Sequence, residues 1–539
     1  MQVSSPSMAT IVFALLVVVV AVAPLEDPVQ QDEQTWLKKS LVNVPSLRLQ
    51  VTLKGKNLKI HGQSTVDVFV NPVVSAEHST LRYDGSATFI QDGTKFTYMF
   101  VNGTSYMVES SGNTVDTVRC LQSILPFENM LPALNNAIPT PSASISGEAV
   151  ECPSGSLFRT SFSRVDFVLC ASGASGFIAY GLDVTIAVVY LSSPIQRISA
   201  LIRTDEIGSC PVVATPTQVT TAALSLLTGE LLPHTASRTL KAAAPVAIQV
   251  DRCECKSTPR PCIFLHGLGN PNEEPELQDT PELTKAKFGN IGDHAPCCLT
   301  VKYAVMNTVD YGWTNDTLQQ KFCDFSLSMS ETSDLSSRTI SNTIVVTHSM
   351  GGLVMASALA TGKCNFAETT SWVSLSAPMT GSMAGDYIQD LCDDGVSSVE
   401  ADLIELVGQC PASAARKSVS YQGEKYSTAT LNAAYTAAQT AYRGNVTAAM
   451  CSNYYDGVVS KYQLLCIAGG EVIPHKSREN DGLVEFQSCL GGLDPALFGT
   501  SYLDRFYKPE LNHADTAFLT HDGLFEDSKK PFKWFECLL

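Results

Sequence analysis

The chain has 539 residues, 45% apolar and 17% charged. That balance excludes collagen, a long coiled coil and intrinsic disorder, and the length predicts two or three globular domains. Its 36 basic and 53 acidic residues leave a net charge of −17 with no basic stripe, so nucleic acid is excluded as an expected partner.

Residues 9–23, ATIVFALLVVVVAVA, form an apolar block too short for a comfortable membrane span. The block ends in Ala21-Val22-Ala23, the small-x-small pattern of a cleavage site. Residues 1–23 are therefore expected to be a signal peptide and the protein to be secreted. No Lys or Arg precedes the block and Pro24 follows it, so an uncleaved N-terminal membrane anchor is the alternative. Seventeen cysteines beyond the block suit an oxidising compartment and several disulfides. Their odd number leaves at least one thiol free or bridged to another chain. No paired C-x-x-C spacing occurs, so no structural zinc is expected. Sequons at Asn102, Asn315 and Asn445 fit the secretory route and a glycoprotein.

Leu47, Leu49, Val51 and Leu53 alternate with polar residues, as do Val66, Val68 and Val70, which predicts half-buried strands. KFTYMF, VNGT and SYMV predict a hairpin, because Asn102-Gly103 supplies the positive φ angles of a tight turn. Further strands are expected over 157–170 and 177–190, with a helix near 128–137. Residues 30–210 thus read as an antiparallel β-rich accessory domain whose ligand the pattern does not specify. An Ala/Thr/Pro-rich stretch, 211–246, reads as a linker.

Residues 247–539 alternate short apolar runs with helical stretches, the layout of a mainly parallel sheet with helices on both faces. The strand candidates are PCIFLHG (261–267), TVKYAVM (300–306), NTIVVTH (342–348), SWVSLSA (371–377) and YQLLCIAG (462–469). One of them runs into Thr347-His348-Ser349-Met350-Gly351 and the compact apolar stretch LVMASALATG. A nucleophilic serine needs a hydroxyl clear of the backbone, a neighbouring base and main-chain N–H donors for an oxyanion. A strand turning sharply into a helix beside small residues provides the first and third. The bland alternative is a helix N-terminus with an incidental serine, and a β-branched Thr347 where a glycine is usual crowds such a turn.

FLHGLG (264–269) ends an earlier strand in His266-Gly267. Together with the elbow it resembles the α/β-hydrolase superfamily, in particular secreted lipases and esterases. The resemblance covers most of residues 250–380 and 460–525. It implies an α/β-hydrolase fold, backbone N–H groups of Leu268 and Met350 as the oxyanion donors, and the chain order serine, acid, histidine. NDGLV then makes Asp481 the candidate acid, and LNHADT makes His513 the candidate base for Ser349. Asp456 and Asp522 are also Asp-Gly pairs, but chain order disfavours both; His521 is a rival base that lies further from the acid and reads as a loop residue. His266 is expected to shape its loop, His348 to sit beneath the turn, and His475 and His294 to lie at the surface.

SLSAPMTGS (374–382) is similar to the segment that leads to the lid in lipase-like hydrolases. Residues about 383–460 then read as an inserted cap, with Cys392, Cys410 and Cys451 as staples; a solvent-facing decoration is the alternative. The implied activity is hydrolysis of a lipid or other apolar carboxylic ester through an acyl-enzyme, with no metal or organic cofactor and with transient contact to a lipid surface. A thioesterase or acyltransferase on the same three residues, or a catalytically silent surface glycoprotein, are the alternatives.

Overall fold

The computed structural model describes residues 28–55, 58–111, 116–121, 127–153, 156–163, 165–195, 210–230, 244–249, 253–393, 408 and 410–539. The expected signal peptide lies outside them. A large antiparallel β-sheet and a parallel sheet flanked by helices make up the molecule. Among the described residues no helix is long and apolar enough to cross a membrane.

Among the described residues the antiparallel part is a twelve-stranded sheet. The alternation read from sequence sets its register: Leu49 faces Val68 on one neighbour and Val188 on the other. Leu47, Leu49, Val66, Val68 and Val70 bury one face in a single apolar cluster. The predicted hairpin joins Thr94–Val101 to Thr104–Ser110, with φ of 55° at Asn102 and 78° at Gly103. Stretches 157–170 and 177–190 each hold a hairpin instead of one strand: Leu157–Phe162 with Val165–Ala171, and Gly176–Tyr180 with Val184–Tyr190. The predicted helix spans Phe127–Asn135.

The expected linker differs from a free tether. Thr217 and Gln218 pair with Leu81 and Thr80 of the sheet, and the helix Thr221–Thr228 buries Ala223, Leu224, Leu226 and Leu227 in the sheet's cluster. An Ala/Leu-rich helix with a Thr220 cap and Gly229 in the left-handed conformation at its end is a self-contained element, which composition alone had blurred.

The second sheet has seven strands in the order Cys298–Tyr303, Arg260–Leu265, Ile344–His348, Ser371–Leu375, Ala448–Met450, Phe506–Tyr507, Phe498–Gly499, every pair parallel. Side chains alternate between two apolar layers. Ile263, Leu265 and Val345 enter the layer with helices Asp316–Leu327, Met350–Ala360 and Ala429–Asn445. Phe264, Ile344 and Val346 enter the layer with Phe518 and the C-terminal helix Pro531–Leu538. Covering both faces is what makes these strands continuous apolar runs.

Two expectations for this part do not hold. YQLLCIAG is the helix Gln463–Val472, not a strand. The insertion also ends earlier than 460. Helix Ala429–Asn445 buries Tyr435 and Tyr442 against the layer beside the elbow helix, and Ala448–Met450 is a strand of the central sheet. Only the earlier portion, with the helix Met383–Asp393 and Ala414–Ser418, lies over the candidate site.

All seventeen cysteines are placed. Eight disulfides form, and Cys466 is left as a buried free thiol. Cys392–Cys410 closes the insertion on itself, and Cys451–Cys489 ties the strand Ala448–Met450 to the short helix Phe486–Leu490. Cys253–Cys537 fastens the C-terminal helix to the start of the parallel-sheet part. So many bridges fit an extracellular or secreted protein.

Candidate active site

Ser349 sits between the last strand residue, His348, and the first helical one, Met350, with φ 55° and ψ −133°. A non-glycine residue there stores about 1–3 kcal/mol of backbone strain, which the surrounding structure must hold in place. The Ser349 N–H donates to the Leu375 carbonyl at 2.8 Å. The small neighbours read from sequence are required by space. A Cβ on Gly351 would lie 2.7 Å from the Leu265 carbonyl oxygen, and one on Gly352 would lie 2.5 Å from the Ala377 Cβ. Across the turn, a Cβ on Gly267 would lie 2.6 Å from the Ser349 Cβ and 3.2 Å from the Met350 nitrogen.

Thr347 does not crowd the turn. It is fully buried, and its hydroxyl accepts a hydrogen bond from the Trp372 indole N–H at 2.9 Å. The hydroxyl is thus used by the neighbouring strand. Thr347→Val keeps the shape and removes the acceptor, leaving a buried indole N–H unpaired. We expect a loss of about 1–3 kcal/mol of stability, read from the midpoint of urea unfolding.

Asp481, His513 and Ser349, far apart in the chain, come together. His513 Nε2 lies 3.0 Å from the Ser349 Oγ, and His513 Nδ1 lies 2.8 Å from the Asp481 Oδ2. The His513 N–H also donates to the Asp481 carbonyl at 2.9 Å, so main chain and side chain fix the same pair. The other carboxylate oxygen of Asp481 accepts the N–H groups of Val484 at 2.7 Å and Leu483 at 3.0 Å, in a turn with Gly482 at φ 96°. Burial alone would raise the Asp481 pKa. The His513 charge and hydrogen bond, with the two backbone donors, outweigh burial and hold it below the usual carboxylate value. Asp515 anchors the same loop by accepting the N–H groups of Asn512 and Val458, each at 3.0 Å.

The oxyanion candidates are set by a further pair of side chains. His266 Nδ1–H donates to the Gly267 carbonyl at 2.8 Å, while its Nε2 accepts the Met306 N–H at 3.1 Å. Burial lowers the His266 pKa to about 4, which keeps the ring neutral and suits one donor and one acceptor nitrogen. The Thr308 hydroxyl donates to the same Gly267 carbonyl at 2.8 Å. A trans peptide sends its N–H opposite its C=O, so holding this carbonyl turns the Leu268 N–H the other way. Leu268 and Met350 both line the cleft that contains Ser349 and His513. Thr308 carries no motif and was not legible in the sequence.

The competing residues have structural employment. Asp522 accepts the N–H groups of Phe532 at 2.8 Å and Lys533 at 3.1 Å, at the start of the C-terminal helix. His521 Nε2 bonds the Val459 carbonyl at 3.1 Å, and Asp456, itself buried, accepts from the Gln463 side chain through its main-chain carbonyl at 3.0 Å. His348 lies under the turn, its Nε2 3.2 Å from the His513 carbonyl. His475, expected at the surface, is buried and paired with Glu485 at 2.8 Å; His294 pairs with Glu536 at 3.1 Å.

The cleft holds about 520 Å³. The insertion supplies Ile388 and Val419, the misread helix supplies Leu464, and the acid loop supplies Leu483 and Val484. The antiparallel sheet, expected to be accessory, supplies Gln91, Thr94 and Phe96 to the same wall. Chemically, a hydroxyl, an imidazole and a buried carboxylate in this order can pass the hydroxyl proton to the imidazole and stabilise the resulting cation. Donors beside the hydroxyl can stabilise negative charge that develops on a carbonyl oxygen.

No protein-family model matches the chain, and no curated protein matches it. Among solved structures it is similar in part to LprF from Mycobacterium bovis, at 11% identity, covering 35% of this chain and 99% of that one with a TM-score of 0.18. It is also similar in part to a structure of the prolyl endopeptidases, at 8% identity, covering 81% of this chain and 69% of that one with a TM-score of 0.18. Likenesses this weak carry no argument for fold or activity, which leaves the geometry around Ser349 as the ground for a functional reading.

Proposed function

We propose that the protein is a secreted serine hydrolase of the α/β-hydrolase superfamily that cleaves carboxylic esters with apolar acyl groups. The observation that carries this is the unbroken chain Ser349–His513–Asp481, with contacts of 3.0 Å and 2.8 Å at a strained strand-to-helix turn. In this reading Ser349 attacks the ester carbonyl while His513 takes its proton. The charge on the tetrahedral oxygen falls to the N–H groups of Leu268 and Met350. His513 then protonates the leaving alcohol, and the acyl group stays on Ser349. Water, deprotonated by the same imidazole, releases the acid. Water is the one co-reactant. The apolar walls supplied by Leu464, Leu483 and Val484 support an apolar acyl group over a charged one.

The test is covalent labelling with a fluorophosphonate probe, which reports an activated serine without presuming the ester. Wild type should label, and Ser349→Ala should not. Equal labelling of both, or none of wild type, would turn the reading towards a binding module with no chemistry.

A further inference from the structure

A second cavity, of about 130 Å³, lies against the inner face of the antiparallel sheet. Its walls come from three places: sheet residues such as Leu169 and Ala179, helix Phe127–Asn135 through Ala133, and Val459 and Phe525 from the parallel-sheet part. The lining is entirely apolar. The hydroxyl of Thr160 is turned to the Ala133 carbonyl, and that of Tyr98 lies 2.8 Å from His61 Nε2 and also donates to Gln463 at 3.3 Å. A buried water needs two or more polar partners, and this space offers none. Hydrocarbon suits it, and a headgroup does not.

The cavity and the cleft around Ser349 draw on the same strand and the same apolar cluster. Side chains two apart on a strand share a face, so Thr94, Phe96 and Tyr98 project together from Thr94–Val101. Thr94 and Phe96 line the cleft, whereas Tyr98 lines the cavity. Val459 of the cavity and Leu464 of the cleft likewise belong to one apolar cluster. Where this strand passes from cleft to cavity, His61 stacks on Phe96 at 4.4 Å and is hydrogen-bonded to Tyr98 at 2.8 Å and to Gln91 at 3.0 Å.

We propose that this cavity is the distal part of the acyl site. It receives the far end of a long, unbranched acyl chain whose ester bond lies at Ser349, the chain passing over Phe96. Length is needed to reach from Ser349 past Phe96 and Tyr98. The proposal rests on the hydrolase reading for the ester end but not for the cavity end.

The probe is cis-parinaric acid, a fluorescent unbranched fatty acid, titrated into the full chain carrying Ser349→Ala. It should bind, and filling the cavity by Ala179→Phe should weaken binding by at least about tenfold, the equivalent of roughly two buried methylenes. Ala133→Leu enters from the helix on the opposite wall and should do the same, so a folded variant remains if one substitution prevents cooperative melting. No binding, or undiminished binding to a folded variant, overturns the proposal. With Ser349 restored, the ratio of kcat/KM for p-nitrophenyl palmitate over p-nitrophenyl butyrate should fall by a similar factor. An unchanged ratio overturns the passage from cleft to cavity. Cavity-dependent binding in a protein that turns over neither ester would sink the hydrolase reading and leave the hydrocarbon site standing.

Discussion

Replacing His513 with alanine should lower kcat on a carboxylic ester by about a millionfold, and adding Ser349→Ala should cost almost nothing more. In the proposed mechanism the two residues act as one unit: the hydroxyl is a poor nucleophile until the imidazole, 3.0 Å away, removes its proton, and without Ser349 there is no acyl-enzyme for the imidazole and water to resolve. Among the described residues His348 is not placed to substitute. His348 is the nearest ring, with centroids 4.7 Å apart, but its Nε2 is directed at the His513 carbonyl. Burial, followed by the proximity of His513, drives the His348 pKa well below the ordinary histidine value. What remains in the double variant is the stabilisation from the oxyanion donors and the cleft, which neither substitution touches. Steady-state kinetics on a soluble short-chain ester provide the measurement. Activity of His513→Ala within about a hundredfold of wild type would mean that another group is the base.

The parts of this site that could be read in the sequence are those where backbone geometry demands particular residues. Gly267, Gly351 and Gly352 stand where any Cβ would meet a neighbouring atom at 2.7 Å or closer, so the motifs around them follow from hard contacts. The Asp-Gly turn at Asp481, whose carboxylate accepts N–H groups two and three residues on, is a local signal shared with Asp456 and Asp522, and only the chain order implied by the resemblance separates it from them. The helix Gln463–Val472 was misread for a physical reason. Leu464 and Ile467 face the antiparallel sheet while Cys466, Ala468 and Gly469 are buried elsewhere, so the run is apolar all round and has lost the period that separates helix from strand. The true strand beside Ser371–Leu375 is the three-residue Ala448–Met450, too short and too alanine-rich to announce itself. Nor could any local pattern show that Thr94 and Phe96 reach the wall of the candidate site, since that contact exists only once two remote segments have folded and docked. Thr347 is the opposite case: an apparent departure from the motif that Trp372 explains once the partner strand is in place.

Asp481→Asn should keep the fold and lower kcat by about 10⁴-fold, because it reverses the histidine's proton without moving the ring. The orientation of the new amide is fixed by the main chain. One side-chain position faces the Leu483 and Val484 N–H groups at 3.0 Å and 2.7 Å, and only an acceptor can occupy it, so the amide oxygen goes there. The amide NH₂ is then left 2.8 Å from His513 Nδ1, where wild type has a carboxylate oxygen. Nδ1 must accept that hydrogen bond, the ring proton moves to Nε2, and the nitrogen that should take the Ser349 proton already carries one. Asp481→Ala imposes no such tautomer, so it should lose the cation's stabilisation yet retain more activity than asparagine at high pH. Proton NMR of the imidazole NH resonances reads the tautomer directly, and kcat reads its consequence. An asparagine variant that keeps the proton on Nδ1, or that outpaces the alanine variant, would show that this carboxylate does not orient the base.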